Sequence, residues 1–262
     1  MRILLAAKYV PGCSQPIGGV QSWNEAVAAE LRRCGHEVAL WCPEWPLPTD
    51  RFDVGIFANV RLTGRARALC GRSVVVSHGI IADEQPDGAA AFTSEGVRDH
   101  WGGTGPVIRQ PIDLAFWSPD DGPRDGGILR YSYRAGLEWL GAVAYKMGLR
   151  YQHLRSVSHT QAREAMRRAQ CVLATGRAAL EAAACGAPVV ICDHRSAYQG
   201  PLAAPFGMSQ ARQNYSGRGG FAPDADSMRR MIECAILAEG WRQYVQTHHD
   251  VRNIVQQLLK AA

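Results

Sequence analysis

The chain has 262 residues, of which 47% are hydrophobic and 20% are charged. This composition suits a soluble globular protein with one large or two small domains and a sizeable core. No stretch approaches the roughly 20 apolar residues that a membrane-spanning helix needs. The formal net charge is +5, and nearly all of the positive charge comes from arginine. Codon bias toward arginine explains this as well as an anionic partner does, whether a diphosphate, a phospholipid surface or a nucleic acid.

The eight cysteines contain no CxxC pair, and several lie in apolar runs, as Cys171 and Cys192 do. We therefore expect buried free thiols of a reducing compartment rather than a disulfide framework. The apolar run near the N-terminus covers only about five residues and no small-residue cleavage site follows it, so it predicts a buried strand and not a signal peptide. These features predict a cytoplasmic protein without a transmembrane segment.

Strand and helix patterns alternate along the first half of the chain. Short apolar runs such as Arg2–Ala7 are typical of buried parallel strands. The apolar spacing over 20–33 is typical of a helix, which Gly35 would end. The predicted strands are 2–7, 37–41, 54–57, 73–76, 90–93 and 107–108, and the predicted helices are 20–33, 61–70 and 95–101.

The composition changes between Trp117 and Gly127, where the sequence WSPDDGPRDGG is rich in Pro, Gly and Asp. Such a composition is typical of a linker, and the alternation begins again after it. The predicted strands are then 128–131, 151–157, 171–174 and 188–192, and the predicted helices are 135–147, 160–169, 177–185, 227–238 and 241–259. We predict an α/β protein with two doubly wound, Rossmann-like domains, 1–118 and 128–262, joined by a linker at 119–127.

The segment CVLATGRAALEAAACGAPVVICD, residues 171–193, predicts a strand, a helix and a second strand. Thr175 and Gly176 would lie where the first strand ends and the helix begins, so free N–H groups and the helix dipole would attract an anion there. Glu181 lies further along the helix, and its carboxylate could accept hydrogen bonds from ribose hydroxyls. Any βαβ unit with an alanine-rich helix has the same pattern, so the pattern alone leaves both interpretations open.

The run EAAACGAPVV, Glu181–Val190, resembles the donor site of GT-B glycosyltransferases of the retaining, glycogen-synthase-like group, which carry E-A-(M/A)-A-C-G-x-P-V-V there. The resemblance implies two Rossmann-like domains facing a cleft. The first would form the acceptor side and the second the nucleotide-sugar site. It also implies that Glu181 binds the donor ribose. The last helix is a candidate to pack back on the first domain.

Two further parts of the chain resemble the same group. The N-terminal strand, loop and helix are similar to its first such elements, and Gly18 and Gly19 match its paired glycines. The resemblance implies that these glycines approach the donor phosphates and the transferred sugar, where any Cβ would block the approach. His78 follows the strand at 73–76, where members often have a histidine close to the transferred sugar. This implies a catalytic role for His78, and capping of a loop is the alternative.

The sequence departs from the group's pattern around the donor diphosphate. Members usually carry an arginine and a lysine after the first strand of the second domain. Here Arg134 can take the arginine's role, but no lysine follows it at the position where members of the group have theirs. Arg130 either compensates or faces solvent. A glutamate that members carry eight residues before the ribose-binding one is replaced by Leu173. Arg177 is therefore a candidate to bind the diphosphate through its planar guanidinium.

We expect no metal and no cofactor, the nucleotide-diphosphate sugar being a co-substrate. Asp224 and Asp226 have the spacing of a metal-binding DxD motif, but capping of a helix explains them better. Residues 212–221 form a basic, glycine-rich loop that is either plain surface or a ligand contact. Without a metal, helix N-termini and arginines would stabilise the negative charge on the departing diphosphate.

The predicted function is transfer of a sugar from a nucleotide-diphosphate sugar, with retention of configuration implied by the resemblance. The alternatives are a degenerate nucleotide-sugar or nucleic-acid binding protein and a nucleotide-sugar epimerase. A dinucleotide-dependent dehydrogenase is disfavoured because no GxGxxG follows a strand. The acceptor is open between a saccharide, a lipid-linked glycan, a small natural product and a modified nucleic-acid base. The basic charge favours an anionic acceptor.

Overall fold

The computed structural model of the chain describes residues 1–8, 10, 19–59, 64–80, 82, 85–86, 90–132, 137–192, 198–201, 210–217 and 223–262. The chain divides into two compact units, one formed by residues 1–113 and 249–262 and the other by residues 114–248. The predicted linker at 119–127 therefore lies inside the second unit, and the C-terminal residues belong to the first. Within the described ranges, no helix has the length and apolar character needed to cross a membrane.

The elements follow each other largely as the apolar patterns predict. The strands are β1 (Arg2–Ala7), β2 (Glu37–Trp41), β3 (Phe52–Ala58), β4 (Cys70–Ser77), β5 (Ala90–Phe92), β6 (Ile128–Tyr131), β7 (Tyr151–Leu154), β8 (Cys171–Ala174), β9 (Val189–Cys192) and β10 (Tyr198–Pro201). The helices are α1 (Gly19–Arg33), α2 (Gly64–Ala68), α3 (Glu95–His100), α4 (Trp139–Lys146), α5 (His159–Arg168), α6 (Arg177–Ala184), α7 (Ala225–Leu237), α8 (Trp241–His249) and α9 (Val251–Ala261).

The first unit is built on a five-stranded parallel sheet with the order β2-β1-β3-β4-β5. Helix α1 packs on this sheet through fully buried apolar side chains, among them Trp23 and Leu31. The strand predicted at 107–108 is only a single bridge between Val107 and Phe92. The neighbouring Pro106 and Pro111 have no N–H groups that could extend the ladder.

The second unit is also built on a five-stranded sheet, with the order β10-β9-β8-β6-β7. Strands β6 to β9 are parallel, and β10, which the sequence pattern did not predict, pairs antiparallel with β9. Strand β7 ends at Leu154 and not at the predicted 157. The two sheets confirm the predicted fold class, an α/β protein with two Rossmann-like halves.

The helix predicted at 241–259 is two helices, α8 and α9, which meet at Asp250. The Asp250 carboxylate caps α9 by accepting the N–H of Arg252 at 2.9 Å. The backbone on either side of Asp250 pairs with Ile112, whose N–H donates to His249 O at 2.7 Å. The apolar period continues through this point, so only the cap marks the break. Helix α9 then buries Ile254 and Leu258 in the core of the first unit.

The cysteines bear out the prediction of buried thiols only in part. None of the seven cysteines in the described segments forms a disulfide. The buried ones are Cys42, Cys171, Cys185 and Cys192, and Cys70 is partly buried. Cys34 and Cys234 are exposed, because each lies on the outer face of a helix or at its end.

Residues 119–127 pack against the rest of the second unit, although their composition is typical of a linker. Arg124 donates from Nη1 to the carbonyls of Met166, Arg167 and Ala169 and from Nη2 to Cys185 O, at 2.8–3.2 Å. These carbonyls end helices α5 and α6, where the helix itself supplies no donors. Arg124 thus caps two helices at once, and burial lowers the pKa of its guanidinium.

Glycine is required at the end of the same segment. Gly127 has a φ of 74°, and an added Cβ would lie 2.3 Å from the carbonyl oxygen of Arg150. The chain can therefore enter β6 only through a residue without a side chain. Gly126 also packs closely, because an added Cβ would lie 3.0 Å from the carbonyl oxygen of Arg168.

We expect Arg124→Met to lower the free energy of unfolding by about 2–3 kcal/mol, because helix-end carbonyls lose their donor while the side-chain length is kept. Urea unfolding followed by circular dichroism measures this loss. Arg168→Met is the matched control, because Arg168 pairs with Asp125 on the surface with side chains 64% and 55% exposed. Such a pair is worth at most about 1 kcal/mol. Equal shifts of the two midpoints would refute the capping role of Arg124.

Candidate functional site

The strand order of the second sheet defines where a ligand would bind. The chain leaves β6 for β7 on one side, and β8 lies on the other side of β6. The connections therefore diverge between β6 and β8, and in such sheets ligands bind outside the carboxyl ends of the strands at this point. Tyr131 ends β6, and Thr175 follows the end of β8. The segment singled out at 171–193 thus runs through the expected binding edge.

The turn between β8 and α6 depends on glycine. Gly176 precedes the first helical residue with φ 59° and ψ −133°, a conformation that only glycine adopts readily. Its N–H donates to the carbonyl oxygen of Tyr215 at 2.7 Å. This N–H, which we predicted to attract a phosphate, is therefore used by the protein itself. Thr175 lies beside it, half-buried.

Arg177 and Glu181 form a buried ion pair along α6. The Nε of Arg177 donates to Oε1 of Glu181 at 2.8 Å, and the two side chains are 7% and 5% exposed. The spacing of four residues places both on one face of the helix. The structure therefore places the Arg177 guanidinium on Glu181, where it holds the carboxylate in one orientation.

Tyr131 is a candidate that the sequence analysis missed. It lies at the carboxyl end of β6, and burial raises the pKa of its phenol, with the negative charge of Glu181 raising it further. A tyrosine at the end of a buried strand is common, so the sequence carried no signal for this position.

Of the two arginines predicted near the start of the second sheet, only one can be placed. Arg134 lies outside the described residues. Arg130 is 2% exposed, which excludes the alternative that its side chain faces solvent. It lies in β6 near Tyr151, where its positive charge opposes the rise in the tyrosine's pKa that burial causes. Its side chain belongs to the interior of the second unit.

Residues 210–217, which we name the Tyr215 turn, contact the start of α6. Asn214 and Tyr215 have φ values of 53° and 54°, in the left-handed region. Tyr215 is 1% exposed, and its Oη lies 2.6 Å from the Oη of Tyr244 on α8. Tyr215 therefore anchors the turn twice, on Gly176 by its backbone carbonyl and on Tyr244 by its side chain. The described part of the predicted loop at 212–221 is not plain surface.

The first unit contains the predicted catalytic histidine. His78 follows β4 at the carboxyl edge of the sheet and is 9% exposed. Its ring packs edge-on against Trp23 of α1, with the ring centroids 5.0 Å apart. Gly19 begins α1, and a Cβ added there would meet no atom of the described residues within 4 Å, so the backbone is accessible at this point. Gly18 lies outside the described residues.

Two polar side chains, Asp224 and Ser94, are helix caps. Asp224 accepts the N–H of Ser227 at 2.7 Å at the start of α7, which bears out the predicted helix cap. Ser94 accepts the N–H of Val97 at 3.3 Å at the start of α3. The parts of the chain that the structure describes contain no group of three or more His, Cys, Asp or Glu that could hold a metal ion.

No protein-family model matches the chain, and no curated protein sequence matches it. Among solved structures, the chain is similar to AviGT4, a glycosyltransferase involved in avilamycin A biosynthesis, with a TM-score of 0.58, 18% identity and coverage of 99% of this chain and 96% of that one. Sucrose-phosphate synthase from Thermosynechococcus elongatus gives a TM-score of 0.63, 13% identity and coverage of 99% and 97%. An alpha-glucosyltransferase in complex with UDP and a 13-mer DNA containing an HMU base gives a TM-score of 0.56 and 12% identity, with coverage of 100% of this chain and 99% of that one.

These similarities extend over nearly the full length of each chain at low sequence identity. Together with the two Rossmann-like sheets, they show that the chain has the GT-B fold of these glycosyltransferases. The coverage also means that both units of the fold are present in this short chain.

Proposed function

We propose that the chain is a glycosyltransferase that moves a sugar from a nucleoside-diphosphate sugar to an acceptor. One observation carries this proposal. A buried carboxylate, Glu181, lies on helix α6, and this helix begins at the diverging strand ends of the second sheet, in a chain with the GT-B fold. This is where the fold binds ligands, and the surrounding run EAAACGAPVV resembles the donor motif of the retaining group. Retention of configuration belongs to the proposal on the same ground.

Glu181 is proposed to accept hydrogen bonds from the donor ribose. Its partner Arg177 holds the carboxylate in one orientation, with Nε donating to Oε1 at 2.8 Å. Glycosyl transfer leaves negative charge on the departing diphosphate, which fixed donors and cations stabilise. The N–H groups of the first turn of α6 and Arg134 are the proposed groups for this charge, with Thr175 and Gly176 shaping the turn.

Gly18, Gly19 and His78 of the first unit are proposed to contact the transferred sugar. The accessible backbone at Gly19 supports this proposal, because a ligand could approach the backbone there. The imidazole of His78 can donate or accept a hydrogen bond with a sugar hydroxyl. No step of this scheme is assigned to a metal.

The acceptor is proposed from chemistry that the related structures suggest. One similar glucosyltransferase is bound to DNA with an HMU base, and another similar enzyme takes part in avilamycin A biosynthesis. With a net charge of +5, an anionic acceptor fits this chain best. The acceptor panel should therefore contain modified DNA, a lipid-linked glycan, neutral saccharides and a small natural product.

The test is release of nucleoside diphosphate from UDP-, GDP-, ADP- and TDP-sugars, with and without each acceptor. Acceptor-dependent release from one donor supports a transferase. A nucleotide-sugar binding protein is the second candidate, favoured because Glu181 and the Gly176 N–H already have protein partners. It would bind the donor without releasing nucleoside diphosphate under any condition.

We expect EDTA to leave both donor affinity and turnover unchanged, because arginines and helix N–H groups are proposed to stabilise the diphosphate. Isothermal titration with a nucleoside diphosphate, before and after chelation, measures the affinity. Turnover lost in EDTA and restored by Mg²⁺ would overturn the metal-independent scheme and leave the transferase proposal standing.

A further inference from the structure

Asn59 stands out in the first unit because of its backbone. It follows β3 with a φ of 51° and is 7% exposed. Left-handed residues other than glycine are uncommon, asparagine tolerates the region best, and such residues gather at functional sites. Strand β3 also flanks the point where this sheet's connections diverge, since β2 lies on one side of β1 and β3 on the other. Asn59 is thus an unusual residue at the expected ligand edge.

The side chain of Asn59 bonds to the residue proposed for catalysis. The regular pairing of β3 with β4 ends at Ala58 and Val76. Beyond it, the N–H of Asn59 donates to Val76 O at 3.0 Å, and Oδ1 of Asn59 accepts the N–H of His78 at 2.8 Å. The left-handed turn lets one residue make both bonds, so the ladder continues through a side chain as far as His78.

The other side of His78 is held from β5. The hydroxyl of Thr93, which is 1% exposed, donates to the carbonyls of Ser77 and His78, both at 3.3 Å. The N–H of Thr93 also donates to Ser77 O at 3.1 Å. The backbone of His78 is therefore held at its N–H by one neighbouring strand and at its carbonyl by the other. Its ring meets the edge-on indole of Trp23.

We propose that Asn59 and Thr93 are positioning residues that fix the backbone of His78 and so aim its imidazole. The role in catalysis rests on the proposed function, but the fixation of the ring does not. A histidine whose backbone is held from two strands and whose ring packs on Trp23 needs little reordering when substrate binds, and a displacement of about 1 Å in such a group can cost about a hundredfold in rate.

Three variants test the proposal with the full chain. Asn59→Gly keeps the left-handed backbone and removes the acceptor, Asn59→Asp keeps both, and Thr93→Val removes the hydroxyl at constant shape. The control is Ser156→Gly, which replaces an exposed left-handed residue, φ 48°, in the second unit. The ring resonances of His78 are followed by NMR and assigned by their loss in His78→Gln. Steady-state kinetics with the donor identified by nucleoside diphosphate release give kcat and KM.

We expect one sharp set of His78 ring signals in the wild type, Asn59→Asp and Ser156→Gly, and broadened or doubled signals in Asn59→Gly and Thr93→Val. In the same two variants kcat should fall at least about tenfold with little change in donor KM. Asn59→Asp should retain most of the activity. Unchanged His78 signals in both Asn59→Gly and Thr93→Val would overturn the proposal. A wild type without transferase activity would instead contradict the proposed function. The NMR result would still show whether Asn59 and Thr93 fix the His78 ring.

Discussion

Glu181→Gln should weaken the binding of a nucleoside diphosphate by about 1.5–3 kcal/mol, because a charged acceptor of ribose hydrogen bonds becomes neutral. The amide keeps the shape of the side chain and can still accept from Arg177, so the fold should persist. Isothermal titration with UDP, GDP, ADP and TDP measures the affinity. This is the largest effect that we expect from a single isosteric change in the second unit.

The chain supplies a matched control for this prediction. Arg229 and Glu233 on α7 are also an Arg–Glu pair four residues apart, 2.7 Å between the charged atoms, but their side chains are 43% and 44% exposed. Glu233→Gln should change neither donor affinity nor stability appreciably, because exposed pairs contribute little. Equal effects of Glu181→Gln and Glu233→Gln would remove Glu181 from the donor site.

The alanine variant separates the two roles of Glu181. Glu181→Ala removes the carboxylate that neutralises a buried arginine, and breaking a buried pair costs about 3–5 kcal/mol. We therefore expect Glu181→Ala to destabilise the fold, as measured by urea unfolding, and Glu181→Gln to destabilise it less, because its amide oxygen still accepts from Arg177. A donor that binds Glu181→Gln as tightly as the wild type, with Glu181→Ala unstable, would make the residue structural only.

His78→Gln should lower kcat by about a hundredfold while leaving nucleoside-diphosphate affinity unchanged. The imidazole is proposed to contact the transferred sugar or the acceptor, and positioned groups of this kind contribute about 10²–10⁴ in rate. Glutamine fills a similar volume against Trp23, so the packing should survive. Steady-state kinetics and titration of the nucleoside diphosphate together give the two readouts.

His100→Gln is the control for His78, because the His100 ring also meets a tryptophan edge-on, at 4.5 Å from Trp101, but is exposed. It should leave kcat unchanged. If His78→Gln has full activity, or loses donor affinity and kcat in proportion, then His78 caps its loop and the catalytic role is wrong.

Apolar periodicity was sufficient to predict most of the fold. Strands such as β1 and β8 are buried on both faces, so they read as continuous apolar runs with helices between them. The same signal failed where turn chemistry mattered. It ran through Asp250, where a cap divides two helices. The Pro, Gly and Asp content of 119–127 likewise predicted a linker, although Arg124 binds two helix ends there.

The candidate site was only partly predictable. The motif at 181–190 placed Glu181 on the right helix, and the spacing of Arg177 and Glu181 already allowed a pair. Burial of that pair depends on the whole unit and has no local signal. The contact of Gly176 with Tyr215 joins distant segments through a backbone carbonyl, which no side chain reveals. The bond from Asn59 to His78 also depends on strand order, which sequence spacing does not specify.

Binding of a nucleoside-diphosphate sugar by the second unit at Glu181 is tested most directly by a thermal-shift panel. The melting temperature of the wild type and of Glu181→Gln is measured with UDP-, GDP-, ADP- and TDP-sugars. A ligand at about 100 times its dissociation constant stabilises a protein by about 2.7 kcal/mol, which raises the melting temperature by several degrees. We predict such a rise with one nucleotide for the wild type and a much smaller one for Glu181→Gln. No rise with any nucleotide, or the same rise in both proteins, would contradict the claim.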